Sequence, residues 1–156
     1  SAPKHVQQIE EENHLRWDSL GEFMALAVSL EDMGAKQGIP RAVLLAKTLD
    51  EATGKLLENN KSPSRKTGEL DNRGSHFYLG LYWAEAVAAQ TEDTALAAQL
   101  APLAKSLRDN EDKIIAELSA VQGRPAALDG YYHPLRDTVK KVMRPTLNEV
   151  LAQNTL

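Results

Sequence analysis

Cysteine is absent from this chain of 156 residues. That excludes disulfides, thiol chemistry and every cysteine-ligated metal site, and it fits a reducing cytoplasm, the expected location. A basic excess is also missing: 18 Lys and Arg stand against 22 Asp and Glu, a formal charge of −4. A general nucleic-acid binder usually carries the opposite balance, so no nucleic-acid partner is expected. No apolar run approaches the ~18 residues of a membrane span, and no membrane partner is expected. The polar opening with Pro3 lacks a signal-peptide pattern. With Ser1 in place of Met, the chain reads as though it opens in mid-motif, as a processed chain, a trimmed chain or a proteolytic fragment would.

Further absences narrow the chemistry. Gly68, Gly74 and Gly80 do not form G-x-G-x-x-G, and there is no P-loop, so nucleotide binding of the Rossmann kind is excluded. No Ser-His-Asp arrangement is visible. His14, His76 and His133 are widely spaced with no i, i+4 metal pairing, and read as helix-end or interface residues. No segment alternates as a strand does, and there is no repeat or low-complexity tract.

What is present is helical periodicity. Pro3 suits the start of a short helix running to Asn13. Ser19 and Glu22 have the spacing of a capping box, opening a helix whose apolar face is Leu20, Phe23, Met24, Ala27 and Leu30. Gly34 is the expected end. Pro40 opens the next helix, with Ala42, Leu45, Ala46, Leu49, Ala52 and Leu56 in register to about Asn59. Periodicity vanishes over residues 60–75, a polar loop long enough to be functional or disordered. A helix is expected from about His76 to Gln90, with Phe77, Tyr78, Tyr82 and Trp83 in the core. Leu96 to Gln122 reads as one helical run bent or broken at Pro102. A turn-rich connector from Gly123 to Pro134 leads to a last helix over about Arg136 to Gln153, interrupted near Pro145. The fold class is mainly α, in a single domain over residues 1–156.

Two basic sets stand out. Lys4 and His5 occupy the first turn of a helix, the end where the macrodipole is already positive, which makes sense if an anion binds there. Arg16 lies just before the next helix. In the loop, Lys61, Arg65 and Lys66 stand among Ser62 and Ser64, a combination suited to phosphate because arginine can offer two parallel hydrogen bonds. On spacing alone, a solvated basic patch facing Glu10, Glu11 and Glu12, and a mobile basic loop, describe these residues better than an anion site does. Asp71 is read as the intramolecular partner of Arg73, orienting the loop.

Longer words carry a resemblance. Ser1-Ala2-Pro3-Lys4-His5-Val6-Gln7-Gln8, Leu15-Arg16-Trp17-Asp18-Ser19-Leu20-Gly21-Glu22-Phe23, Asn59-Asn60-Lys61-Ser62-Pro63-Ser64-Arg65-Lys66 and Asp71-Asn72-Arg73-Gly74-Ser75-His76-Phe77-Tyr78 resemble the C-terminal region of monomeric-type, NADP-dependent isocitrate dehydrogenases. Ala52-Thr53-Gly54-Lys55, Gln90-Thr91-Glu92-Asp93, Gly130-Tyr131-Tyr132 and Met143-Arg144-Pro145 extend it; Leu135 to Val142 and Leu147 to Leu156 diverge.

The resemblance implies a helical C-terminal segment of a larger α/β fold that oxidises and decarboxylates isocitrate to 2-oxoglutarate with NADP and Mg or Mn. It implies that His5, Arg16 and Arg65 contact the 2′-phosphoadenosine, with Ser1, Trp17 and Asp18 near the ribose and adenine. The metal and acid/base residues of the family lie upstream, so this segment is expected to bind no metal and to be inactive alone. Its expected partners are NADP and the remainder of the enzyme chain, with self-association of the isolated piece as a further expectation. A non-enzymatic helical interaction module is the alternative from another class.

Overall fold

A computed structural model describes residues 2–123. It contains α1 (Ala2–Glu11), α2 (Leu20–Gln37), α3 (Pro40–Glu58), α4 (Asn72–Ala89), α5 (Thr94–Asp109) and α6 (Glu111–Ala120), and no strand among the described residues. The expected helix over Arg136 to Gln153, the connector before it, His133 and Ser1 lie outside them.

Helix α4 is the centre because it is apolar nearly all round. Phe77, Tyr78, Leu79, Leu81, Tyr82, Ala84 and Val87 are all buried, and a helix without a polar face must be covered on several sides. Helix α3 packs on one side and α5 on another, with α2 outside α3. Leu49, Leu56, Leu81 and Ile114 are completely buried in this core. The Trp83 indole donates to Thr48 Oγ1 at 3.1 Å, and the Tyr78 hydroxyl donates to Glu111 at 2.8 Å. Burial, and then the Glu111 carboxylate, push the Tyr78 phenol well above its usual range.

Four boundaries differ from the sequence expectation. Helix α2 passes through Gly34 and stops at Gly38, which takes the left-handed conformation (φ 64°) that glycine adopts without strain. Gly34 serves space instead: a Cβ there would stand 2.7 Å from Val43 Cγ2 and 2.9 Å from the Val43 nitrogen. The capping box at Ser19 does not form. The Ser19 hydroxyl accepts from Asn72 Nδ2 at 3.0 Å, the Leu20 amide goes to Asp18 Oδ1, and Glu22 accepts from the Trp17 indole.

Helix α4 starts at Asn72, one turn before the aromatic run. Asp71 caps it by accepting from the amides of Arg73 (3.0 Å) and Gly74 (3.3 Å). The run after α4 breaks at Asn110 and not at Pro102. The carbonyl that Pro102 leaves without a partner belongs to exposed Ala98, where water can bond it. At Asn110 the backbone leaves the helical angles (φ −103°, ψ 8°), and the Asn110 side chain donates to the Ser106 carbonyl at 2.8 Å.

Candidate functional site

The segment between α1 and α2, the loop between α3 and α4, and the residues after α6 meet at one end of the bundle. Asn13 adopts φ 49°, a left-handed turn that asparagine tolerates. Its side-chain and backbone oxygens both accept from Arg73, at 2.9 and 2.7 Å. Arg73 in turn pairs with Asp71 at 2.6 Å, the partnership expected from sequence. Asp71 Oδ2 also accepts from the Leu15 amide, while Asn72 donates from its backbone to the Leu15 carbonyl and from its side chain to the Trp17 carbonyl. The first turn of α4 therefore clamps residues 13–17.

A second clamp is built on His14, which has no solvent exposure. Its Nδ1 lies 2.5 Å from Gln122 Oε1 and its Nε2 lies 2.8 Å from the Ser64 carbonyl. The Gln122 amide also receives the Gly68 N–H (2.7 Å) and donates to the Glu69 carbonyl (2.7 Å). The Gly123 amide donates to the Glu12 carbonyl at 2.6 Å. One buried imidazole and one glutamine thus hold the polar loop against the segment that carries Arg16.

Arg16 sits where these parts converge. Its Nε donates to the Arg65 carbonyl at 2.5 Å, its Nη2 reaches Thr67 Oγ1 at 3.5 Å, and its fork holds the Glu12 carboxylate. The Arg16 hydrogen bond keeps the Glu12 carboxyl below the usual carboxylate range, and Glu12 raises the Arg16 guanidinium. Half of the alternative raised by the sequence, a basic residue facing the acidic run, is therefore realised at Glu12. The Arg65 side chain is exposed and makes no hydrogen bond or ion pair among the described residues. Lys66 is exposed beside it.

The other sequence candidates are dispersed. Trp17 and Asp18 are exposed next to Arg16; Trp17 donates to Glu22 at 3.2 Å, and Asp18 accepts from the Leu20 amide. His5 lies near the start of α1. Lys61 turns away to stand 4.5 Å over the Tyr78 ring, and Ser64 donates to Glu69 at 2.6 Å, shaping the loop. The sequence reading names Glu12 only as part of the acidic run facing the basic patch, and it does not single out Asn13 or Gln122 as parts of this site. Asn13 just past a helix end was the only local signal; the partners of Gln122 are set by tertiary structure alone.

Among the described residues no group of three His, Cys, Asp or Glu stands together to hold a metal ion. No helix among them is long and apolar enough to cross a membrane. A cavity of about 610 Å³ lies elsewhere, between α3, α4 and α5, and most charges on its wall are paired: Glu85 holds Arg108 at 2.6 Å and Lys55 at 3.9 Å, and Lys105 holds Asp109 at 2.5 Å.

A family model for monomeric isocitrate dehydrogenase matches residues 1–152. The isocitrate dehydrogenase [NADP] of Azotobacter vinelandii is 63% identical over 154 residues, covering 97% of this chain and 21% of that protein. Isocitrate dehydrogenase [NADP] 2 of Mycobacterium tuberculosis is 63% identical over 146 residues, 94% of this chain and 20% of the relative. The Corynebacterium glutamicum isocitrate dehydrogenase [NADP] is 55% identical over 153 residues. The chain thus spans about one fifth of the length of the curated relatives it matches.

Proposed function

The chain belongs to the monomeric isocitrate dehydrogenase family, and from that premise we propose that it forms part of the NADP-binding region of such an enzyme. The complete protein then carries out the NADP-dependent oxidative decarboxylation of isocitrate with Mg or Mn. The observation that carries the reading is the 2.5 Å bond from Arg16 Nε to the Arg65 carbonyl. It brings together two arginines 49 positions apart in a chain of net negative charge. The Arg16 guanidinium held against a loop that carries Arg65 and Lys66 suits a dianionic phosphomonoester, which distinguishes NADP from NAD.

In this reading Arg65, whose side chain is exposed among the described residues, is the principal phosphate contact. Arg16 contributes a second contact and fixes the loop, and His5 adds a third from α1. Ser1, Trp17 and Asp18 border the ribose and adenine. When bound, NADP supplies the hydride acceptor; this segment's residues bind and orient its adenosine end. The residues that hold the metal belong to the remainder of the chain. That remainder is also the proposed cover for the outer face of α2, where Met24, Val28 and Met33 are exposed. An isolated segment with this face uncovered would tend to self-associate.

The test is Arg65→Ala in the full-length enzyme, with equilibrium titration by NADP and by NAD followed through Trp17 fluorescence. A charge-assisted hydrogen bond is worth roughly 1.5–3 kcal/mol, so NADP affinity should fall about tenfold to a hundredfold while NAD affinity barely changes. Equal loss of both cofactors means that Arg65 shapes the loop and does not read the phosphate.

A further inference from the structure

We infer that Glu12 is an internal stand-in for the cofactor's 2′-phosphate: its carboxylate occupies the fork of Arg16 in the free state and is exchanged for the phosphate when NADP binds. The inference rests on the NADP reading above and adds a residue to it.

The geometry divides the donors of Arg16 into two sets. Nε and Nη2 face the loop, at the Arg65 carbonyl and Thr67 Oγ1, and fix the guanidinium plane. The remaining edge, Nη1 with Nη2, faces the two oxygens of Glu12. A carboxylate and a phosphate present the same two-oxygen edge to a guanidinium fork. A phosphomonoester also carries about −1.5 to −2 charges near neutral pH against one for a carboxylate, which favours the exchange. Side chains of both partners are about a third exposed, 31% for Arg16 and 39% for Glu12, so the pair can open without unpacking a core. The Glu12 backbone is held separately, by its amide to the Gln8 carbonyl and by its carbonyl to the Gly123 amide. The carboxylate can therefore swing away while the segment stays in place.

The arrangement has a consequence for selectivity. With Glu12 in the fork, Arg16 is neutralised in the empty site and in a site holding NAD, which has a hydroxyl at this position. Every NADP molecule that binds must first separate the pair, and part of its affinity is spent there. Neutralising Glu12 removes that opposition for NADP alone.

The experiment is equilibrium binding of NADP, NAD and adenosine 2′,5′-bisphosphate to full-length Glu12→Gln, Arg16→Ala and the double variant, with Glu11→Gln as a control for general charge. A partly exposed ion pair is worth up to about 1 kcal/mol. Glu12→Gln should therefore bind NADP and the bisphosphate about two- to fivefold more tightly, with NAD unchanged. The gain should be absent in the Arg16→Ala background and absent in Glu11→Gln. Weaker or unchanged NADP binding in Glu12→Gln overturns the exchange, because Glu12 then orients Arg16 or is irrelevant to it. An equal gain in Glu11→Gln also overturns it, as a general field effect. Selective loss of NADP in Arg65→Ala without a gain in Glu12→Gln defeats this inference alone; loss of both cofactors together in Arg65→Ala and Arg16→Ala defeats the NADP reading beneath it.

Discussion

Asp71 Oδ2 and Arg73 Nη2 lie 2.6 Å apart with their side chains only 1% and 8% exposed. The carboxylate also caps α4 and accepts from the Leu15 amide, so it answers donors from three directions. Removing one partner breaks a buried pair and a helix cap together, at a cost of about 3–5 kcal/mol. Asp71→Asn should therefore destabilise the protein by that order, read from urea unfolding of the full-length chain. A change below 1 kcal/mol would show that the other contacts of Arg73 suffice to hold it.

Gln122→Leu removes the partner of His14 Nδ1, the Gly68 amide and the Glu69 carbonyl at one stroke. Of these groups only His14 is fully buried, and a buried polar group left without a partner costs roughly 1–3 kcal/mol. Hydrogen exchange at the Gly68 amide should accelerate by about tenfold or more, with little change in α3 or α4. Uniform acceleration across the bundle would assign Gln122 a global role.

Gly34→Ala should destabilise by about 1–3 kcal/mol through overpacking, although alanine is the better helix former by about 1 kcal/mol. The added methyl meets both Val43 Cγ2 and the Val43 backbone nitrogen. Adding Val43→Ala should then restore only part of the loss, because the backbone atom stays in place. Full restoration would make the side chain the sole obstacle. A thermal-melt comparison of the three variants decides it.

Asp93 accepts from Arg41 Nε at 2.7 Å and caps α5 through the Leu96 amide at 3.0 Å. Arg41 first, then the Leu96 N–H, hold its carboxyl below the usual range. The folded value is lowered, so this contribution to stability is complete above the ordinary aspartate value of about 3.9 and is lost as pH falls through the lowered value. Wild type and Asp93→Ala should differ in thermal midpoint at neutral pH and converge in acid. A constant difference down to the most acid point would mean that packing, and not the carboxylate, carries the effect.

The sequence made the bundle legible where a period repeats. Leu45, Leu49, Ala52 and Leu56 announce α3, and Pro40 marks its first turn. Residues 72–75 carry no apolar period, because Asn72 and Ser75 are polar residues buried by tertiary contacts, and the sequence expectation starts α4 too late. Gly34 looked like a stop because a glycine's role in close packing reads the same as its role in a turn. At the site, Asp71 and Arg73 are neighbours and could be paired by inspection. Gln122 and His14 are 108 positions apart, and no local pattern announces such a pair.

That separation bears on when the site comes into being. Helices α2 to α5 pack largely between chain neighbours, and local contacts of this kind close early and cheaply in entropy. The loop bearing Arg65 is fastened to His14 and Gln122 only when both ends of the described chain are present. On a ribosome the bundle can assemble before residue 122 has emerged, while the arginine cluster cannot be fully fastened. A nascent chain paused just short of Gln122 should be helical and protease-resistant in α3 and α4, with the segment between them still open to cleavage.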